Sequence, residues 1–292
     1  PLATLTRRYG HHFLSLVVVA ALMAAGMTTF RAVFWAGVVA IALSFLRPET
    51  ALGPRRLLAA LESGGRGVLS VAATTAAAGI IVGVVSLTGL GLKLAGLIVS
   101  AAGGSLPLTV LLAALAVWVL GLAVPVTASY IISAVMIAPA LVQVGVPPVA
   151  AHMFIFYYAV LSDVSPPTAM APYAAAAITG GDALRTTLVT WKYTLPAFIV
   201  PLAFTLAPEG MGLLMRASLG EILRASLSAA LGVGALAIGL GGWLRRAATT
   251  GERAAAGVAG LLLVYPGSAS DVAGLILLGL VVVRHLGRVR SV

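Results

Sequence analysis

Ser162-Asp163-Val164-Ser165-Pro166-Pro167-Thr168 sets one acid, three hydroxyls and two prolines inside otherwise apolar sequence. Pro166 and Pro167 have no backbone donor and their rings clash with the preceding turn, so no helix continues through them. A second interruption, Gly121-Leu122-Ala123-Val124-Pro125-Val126-Thr127, again combines helix breakers with a hydroxyl. Unwound backbone leaves carbonyls without helix partners. Those oxygens, with Ser and Thr hydroxyls, suit a desolvated Na⁺, a hard cation that prefers oxygen ligands. Helix N-termini facing the same place carry partial positive charge and favour a substrate carboxylate. Pro and Gly also kink packed helices without further purpose. Two roles fit Asp163. It pairs, titrates or sits at a wet mouth, since a carboxylate at a bilayer centre costs on the order of 3 kcal/mol. Otherwise it caps the helix after the prolines.

The elements around these residues are apolar on both sides, over 149–161 and 169–178. The first run is about 14 residues, roughly 21 Å as a helix, against a hydrocarbon core of roughly 30 Å. Irregular backbone at that depth persists only when buried in protein or lining a wet cavity. The segment from 150 to 179 therefore reads as a re-entrant hairpin, a device by which many secondary transporters build a midplane site. His152, Tyr157, Tyr158 and Tyr173 read as packed aromatics within it. Asp182 reads as a cap for 183–190, and Lys93, Arg185 and Lys192 as interface anchors.

Composition sets the class. Of 292 residues, 61% are hydrophobic and 9% charged, where a soluble domain is nearer a quarter charged. The chain is expected to be an all-α polytopic membrane protein. The 33 glycines suit close helix packing. There is no cysteine, which excludes disulfides, thiolate metal sites and a Cys nucleophile. The net charge of +10 is spread through loops as topology signals and lipid headgroup contacts, so no nucleic-acid partner is expected. H-E-x-x-H, G-x-x-x-x-G-K-[ST], G-x-S-x-G and paired intramembrane acids are all missing, so an enzyme is not expected. The chain begins at Pro1 rather than Met, which reads as a piece of a longer polypeptide.

Four regions follow. Residues 1–47 hold two apolar helices around Arg31. Residues 48–67 form an amphipathic interfacial helix, with Leu57, Leu58 and Leu61 opposite Arg55, Arg56, Glu62 and Arg66. Residues 68–210 carry a span at 68–87, the broken helix, the hairpin and a span at 191–206 kinked at Pro196 and Pro201. Residues 211–292 hold an interfacial segment over 211–224, a span at 227–240, a basic stretch over 243–253 and a last span from 272, capped by Ser270 or Asp271. Arg284, His285, Arg288 and Arg290 argue for a cytoplasmic C-terminus. Arg245, Arg246 and Arg253 would then sit in a short loop on the opposite side.

Several stretches resemble a known family. Ala78-Gly79-Ile80-Ile81-Val82-Gly83-Val84-Val85 and Leu87-Thr88-Gly89-Leu90-Gly91-Leu92-Lys93 are similar to the fused permeases of tripartite ATP-independent periplasmic (TRAP) transporters, in the branch that works with TAXI-type binding proteins. Gly121-Leu122-Ala123-Val124-Pro125-Val126-Thr127-Ala128-Ser129-Tyr130 resembles that branch's G-M-G-L-P-T-T-A-A-Y. Residues 145–152 and 154–171 resemble its G-V-P-P-x-A-A-H and F-Y-x-x-x-L-S-x-x-[ST]-P-P-x-A. The likeness runs from about 57 to 206. Leu122 and Ala123 replace Met and Gly, and Val126 replaces the first Thr, which removes one hydroxyl.

The resemblance implies the C-terminal half of a large permease of the ion-transporter superfamily, with broken helices and a re-entrant hairpin. It implies an elevator-type symporter driven by Na⁺, with no other cofactor. Carried over by motif, the Na⁺ residues would be Gly121 and Thr127 in the first break and Ser162, Ser165 and Thr168 in the hairpin tip, with Thr74 or Thr75 contributing from the preceding span. Asp163, Pro125, Pro166 and Pro167 would shape the substrate and coupling site. The partners would be a periplasmic TAXI-type solute-binding protein, a small organic anion, membrane lipid and the missing N-terminal half of the same polypeptide. The location would be a bacterial inner membrane. Two other readings stand beside this one: an H⁺-coupled inverted-repeat carrier in which Asp163 titrates, and a non-transporting scaffold subunit, for which two such interruptions have no use.

Overall fold

The computed structural model describes residue 6 and residues 9–167 and 169–290. Helices make up the described chain, and its one ladder-like contact is an isolated bridge between Trp243 and Ala247. Four helices are long and apolar enough to cross a membrane: Pro54–Thr88, Ala183–Leu206, Leu219–Gly241 and Ser268–Gly287. The all-α polytopic expectation holds. The chain divides into two units, Pro1–Ala73 and Thr74–Val292.

In the first unit, α1 (Leu14–Ala24) packs on α2 (Thr29–Ser44). Ala32 and Ala36 are buried, because small side chains let two helix backbones approach. Ser44 closes the loop that follows: its Oγ donates to Ile41 O (2.6 Å) and accepts from Leu52 N–H (3.1 Å). Next comes α3, Pro54–Thr88, with 35 residues in one helix. Gly64, Gly65 and Gly67 do not break it, so the stretch read as interfacial and the span read after it are consecutive parts of one element. The Glu62–Arg66 pair (2.9 Å) is exposed, so solvent screens it and it adds little.

The second unit is built around α8, Pro148–Ser162. It follows α4 (Leu90–Ala101), α5 (Leu106–Gly121), α6 (Val126–Met136) and α7 (Ala138–Gln143). Phe154 and Ile155 of α8, Val110 and Val117 of α5 and Leu141 of α7 are 0% exposed and form one cluster. Lipid tails are as apolar as leucine, so close packing and interhelical hydrogen bonds hold this core more than water exclusion does. One such bond runs from Tyr158 OH to Phe198 O (2.8 Å), on α10 (Ala183–Leu206). After the first interruption the sequence reads as one apolar run over 128–144. The structure divides it at Ile137, because Pro139 in the first turn of α7 has no N–H to continue α6. Conversely, 183–190 and 191–206 are a single helix, α10, capped as expected: Asp182 accepts from Arg185 N–H at 2.7 Å.

Three more helices complete the unit: α11 (Leu219–Gly241), α12 (Thr250–Val264) and α13 (Ser268–Arg290). Ser218 and Thr249 each open a helix with a capping box, to Glu221 and Glu252. Gly232 and Gly260 face each other across α11 and α12. A Cβ on Gly260 would sit 2.8 Å from Gly232 O, and one on Gly232 3.0 Å from Gly260 O, so the two backbones touch. The expected cap on the last helix is corrected. Asp271 turns across to α11, where its carboxylate accepts from Ser228 Oγ (2.5 Å) and lies 3.8 Å from Arg224 Nε. Ser270 donates back to Tyr265 O and Gly267 O. At the other end of these helices His285 and Glu252, both buried, meet at 3.4 Å, and Arg245 N–H points to His285 Nε2 at 3.5 Å. Sequence reading missed this pair, because each residue lies alone in a basic stretch and only the packing of α12 on α13 joins them.

Candidate functional site: a cavity where four helix ends meet

The two interruptions end helices for the reasons read in the sequence. α5 stops at Gly121 and α6 starts at Val126, with Pro125 as its N-cap residue. α8 stops at Ser162 and α9 (Met170–Thr179) starts after the Pro166–Pro167 pair, whose peptide bond is cis. With 15 and 10 residues, α8 and α9 are each shorter than the roughly 30 Å of a hydrocarbon core.

Both breaks open on one cavity of about 710 Å³. Gly121 and Ser162, the last residues of α5 and α8, line it, and so do Val126 and Met170, the first residues of α6 and α9. Two C-terminal ends and two N-terminal ends thus border one space, although most of the last carbonyls of α5 and α8 already accept one hydrogen bond, such as Leu120 O from Ala123 N–H and Ser162 O from Ser165 N–H, and offer a cation their second lone pair. Neither Pro125 nor Ala169 caps its helix with a side-chain hydrogen bond, so among the described residues no N-cap side chain takes these donors, which in α9 are those of Met170 and Ala171 because Pro172 has no N–H. Asp163 is the one carboxyl side chain among the described residues of the lining, alongside Leu122, Ala123, Val124, Pro125, Pro167 and Tyr173.

The tightest point is Gly121. A Cβ there would lie 2.7 Å from Ser162 Cβ and 3.2 Å from Ser129 Oγ, and would collide with Ser162 Oγ. Ser129, on α6, is 0% exposed, and its hydroxyl has no hydrogen-bond partner among the described residues. Burying an unpaired hydroxyl costs about 1–3 kcal/mol, so a group of this kind needs a reason, and coordinating an ion is one. Ser133, one turn further along α6, is buried and unpaired in the same way.

The other expected residues are distributed as follows. Ser162 lines the cavity while donating to Ala159 O at 2.6 Å. Ser165 is buried with its hydroxyl engaged twice, donating to Leu161 O (2.8 Å) and accepting from Trp118 Nε1–H (2.9 Å). Thr127 faces a second cavity of about 410 Å³, with Tyr130, His152 and Phe156. Thr168 lies outside the described residues. Thr74 and Thr75 are on α3 and are not part of the lining. Asp163 is half-buried at the C-terminal end of α8. Among the described residues nothing hydrogen-bonds its carboxylate, and α9 takes Ala169 as its N-cap, so Asp163 is not the helix cap considered above. Pro166 holds the turn, and Pro167 O accepts from Tyr173 OH at 2.6 Å.

Two participants were missed. Ser129 sits in a run of small residues with no breaker beside it, and nothing in that run says which face meets Gly121. Trp118 reads as one more apolar residue of α5. Its ring stacks on Trp191 of α10 with centroids 6.2 Å apart and planes 5° from parallel. An anionic end of a solute suits the two N-termini, and a cation suits the carbonyl ends with the Ser129 and Ser162 hydroxyls.

The family model described as "Tripartite ATP-independent periplasmic transporter, DctM component" matches residues 3–211. No curated protein and no solved structure matches the chain. The chain thus belongs to the DctM family, the large permease component of TRAP transporters, a multi-pass membrane transport family whose members work with a solute-binding protein on small molecules.

Proposed function

We propose that the chain forms the C-terminal half of a Na⁺-coupled symporter in a bacterial inner membrane, importing a small organic anion handed over by a TAXI-type periplasmic binding protein. The observation that carries this reading is the convergence of four helix ends on one cavity, with the unpaired Ser129 hydroxyl beside Gly121 and Ser162. Na⁺ occupies the carbonyl side, near Gly121, Ser129 and Ser162. The anion lies against the N-terminal donors of α6 and α9, and α8 with α9 forms a re-entrant hairpin. Binding the cation first offsets the field of Asp163, which otherwise repels an anionic solute. The test is uptake by the whole transporter in proteoliposomes, with and without its binding protein and an inward Na⁺ gradient. Uptake that is independent of Na⁺ refutes the coupling.

A second reading, H⁺ coupling through Asp163, draws on a carboxylate that has no hydrogen-bond partner and no basic neighbour in the lining among the described residues. Uptake driven by a pH gradient without Na⁺, and abolished in Asp163→Asn, would favour it.

A further inference from the structure

The hairpin turn has few fastenings. Pro166 and Pro167 offer no N–H, and the turn's backbone bonds, such as Ser165 N–H to Ser162 O (3.0 Å), run back into α8. Tyr173 OH ties Pro167 O to α9. Among the described residues, the only hydrogen bond from 163–167 to any helix other than α8 and α9 is Trp118 Nε1–H to Ser165 Oγ, at 2.9 Å. The bond has a fixed sense. The Ser165 proton is spent on Leu161 O, and indole donates only, so Ser165 must accept.

Trp118 is also placed at the other break. Its carbonyl accepts Leu122 N–H (3.1 Å) in the last turn of α5, just ahead of the unwound segment. The Trp191 ring stacked beside it limits where the indole can go.

We propose that Trp118 is a positioning residue that latches the hairpin turn shut over the 710 Å³ cavity and links its movement to the break at Gly121–Pro125. Lifting the turn to admit or release a solute breaks this bond. Ser165 then acts as the catch of the latch, and its hydroxyl is not free to serve as a side-chain ligand. The latch rests on the reading of this cavity as the transport site.

Ser162→Cys puts a thiol on the cavity lining at a position 1% exposed, which a reagent reaches only when the turn lifts; this chain has no other cysteine, and any in the rest of the transporter are replaced first. Its labelling rate by a hydrophilic maleimide, in the full transporter in membranes, reports opening of the turn. Losing one neutral hydrogen bond from the closed state should speed labelling about fivefold. Trp118→Phe keeps the ring stack and should show this increase. Ser165→Ala should show the same increase without touching α5. The two together should label no faster than either alone, and Ser165→Thr, which keeps the hydroxyl, should label at the parent rate. A merely structural defect would not be rescued by threonine and would compound in the double variant. Parent-like labelling in both Trp118→Phe and Ser165→Ala, or multiplying effects in the pair, overturns the latch. Labelling is read without any Na⁺ gradient. A fivefold effect with Na⁺-independent uptake would keep the latch and remove the proposed coupling.

Discussion

Gly121→Ala probes the site at its narrowest point. The new methyl would sit 2.7 Å from Ser162 Cβ, where ordinary contact begins near 3.4 Å. Both atoms are fixed by backbone, so no rotamer change of Ser162 relieves the clash, and the ends of α5 and α8 must part by about 0.7 Å. Overpacking of this kind costs about 1–3 kcal/mol. If the strain falls on the ion-loaded state, in which the two ends must close around the cation, it raises the half-saturating Na⁺ concentration by roughly 5- to 150-fold. The assay is Na⁺-dependent uptake in proteoliposomes, with thermal unfolding of the purified transporter as control. Ser162→Gly removes the opposing Cβ, so the double variant Gly121→Ala/Ser162→Gly should recover part of the affinity that Gly121→Ala loses. Wild-type Na⁺ dependence in Gly121→Ala would refute the reasoning, since it would mean that the end of α5 and the end of α8 do not share a cation.

Ser129→Ala should raise the half-saturating Na⁺ concentration about tenfold, as expected for losing one oxygen ligand, while removal of an unpaired buried hydroxyl leaves stability unchanged or improved. Ser133→Ala, one turn away, should leave Na⁺ dependence alone, and equal effects in the two would show that neither is a ligand. For the hairpin, cysteines at Val146 and Gly181 should be labelled from the same face of the membrane in intact vesicles, and labelling from opposite faces would remove it. Asp163→Asn should retain Na⁺-driven uptake, because Asn keeps the size and an acceptor oxygen, and the check is uptake under a Na⁺ gradient at fixed pH.

The breaks were legible because their causes are local. Pro166 and Pro167 lack donors, and Gly121 with Pro125 stops a helix whatever surrounds it, so the ends of α5, α6, α8 and α9 fall within a residue or two of where the breakers place them. What a hydroxyl does once placed is not local. Ser165 and Ser162 are three residues apart, yet one is consumed by Trp118 and Leu161 while the other faces the cavity, and the difference comes from α5 packing on α8. Ser129 was invisible for the same reason. Thr127 carries the same chemistry and points into another cavity. In α3 the polar first half and apolar second half read as two elements, because composition changes there, although nothing interrupts the backbone hydrogen bonding. The division at Ile137 follows from Pro139, a local signal overlooked within a long apolar run.

The buried contact between Glu252 and His285 carries a consequence for orientation. It brings the end of α13 beside the 242–249 loop, so Arg245, Arg246 and Arg253 share an end of the bundle with Arg284. The two arginine groups, which seemed to oppose each other along the chain, cast the same vote during insertion. Each basic residue near an anionic leaflet is worth about 1 kcal/mol, so the two groups would favour the same side of a membrane rather than opposite sides. Three helices of alternating direction leave Ser218 and Ser268 at the other end of the bundle. The last 80 or so residues, beyond the span matched by the family model, thus gather their arginines at one end of a three-helix bundle, as the positive-inside rule would use them.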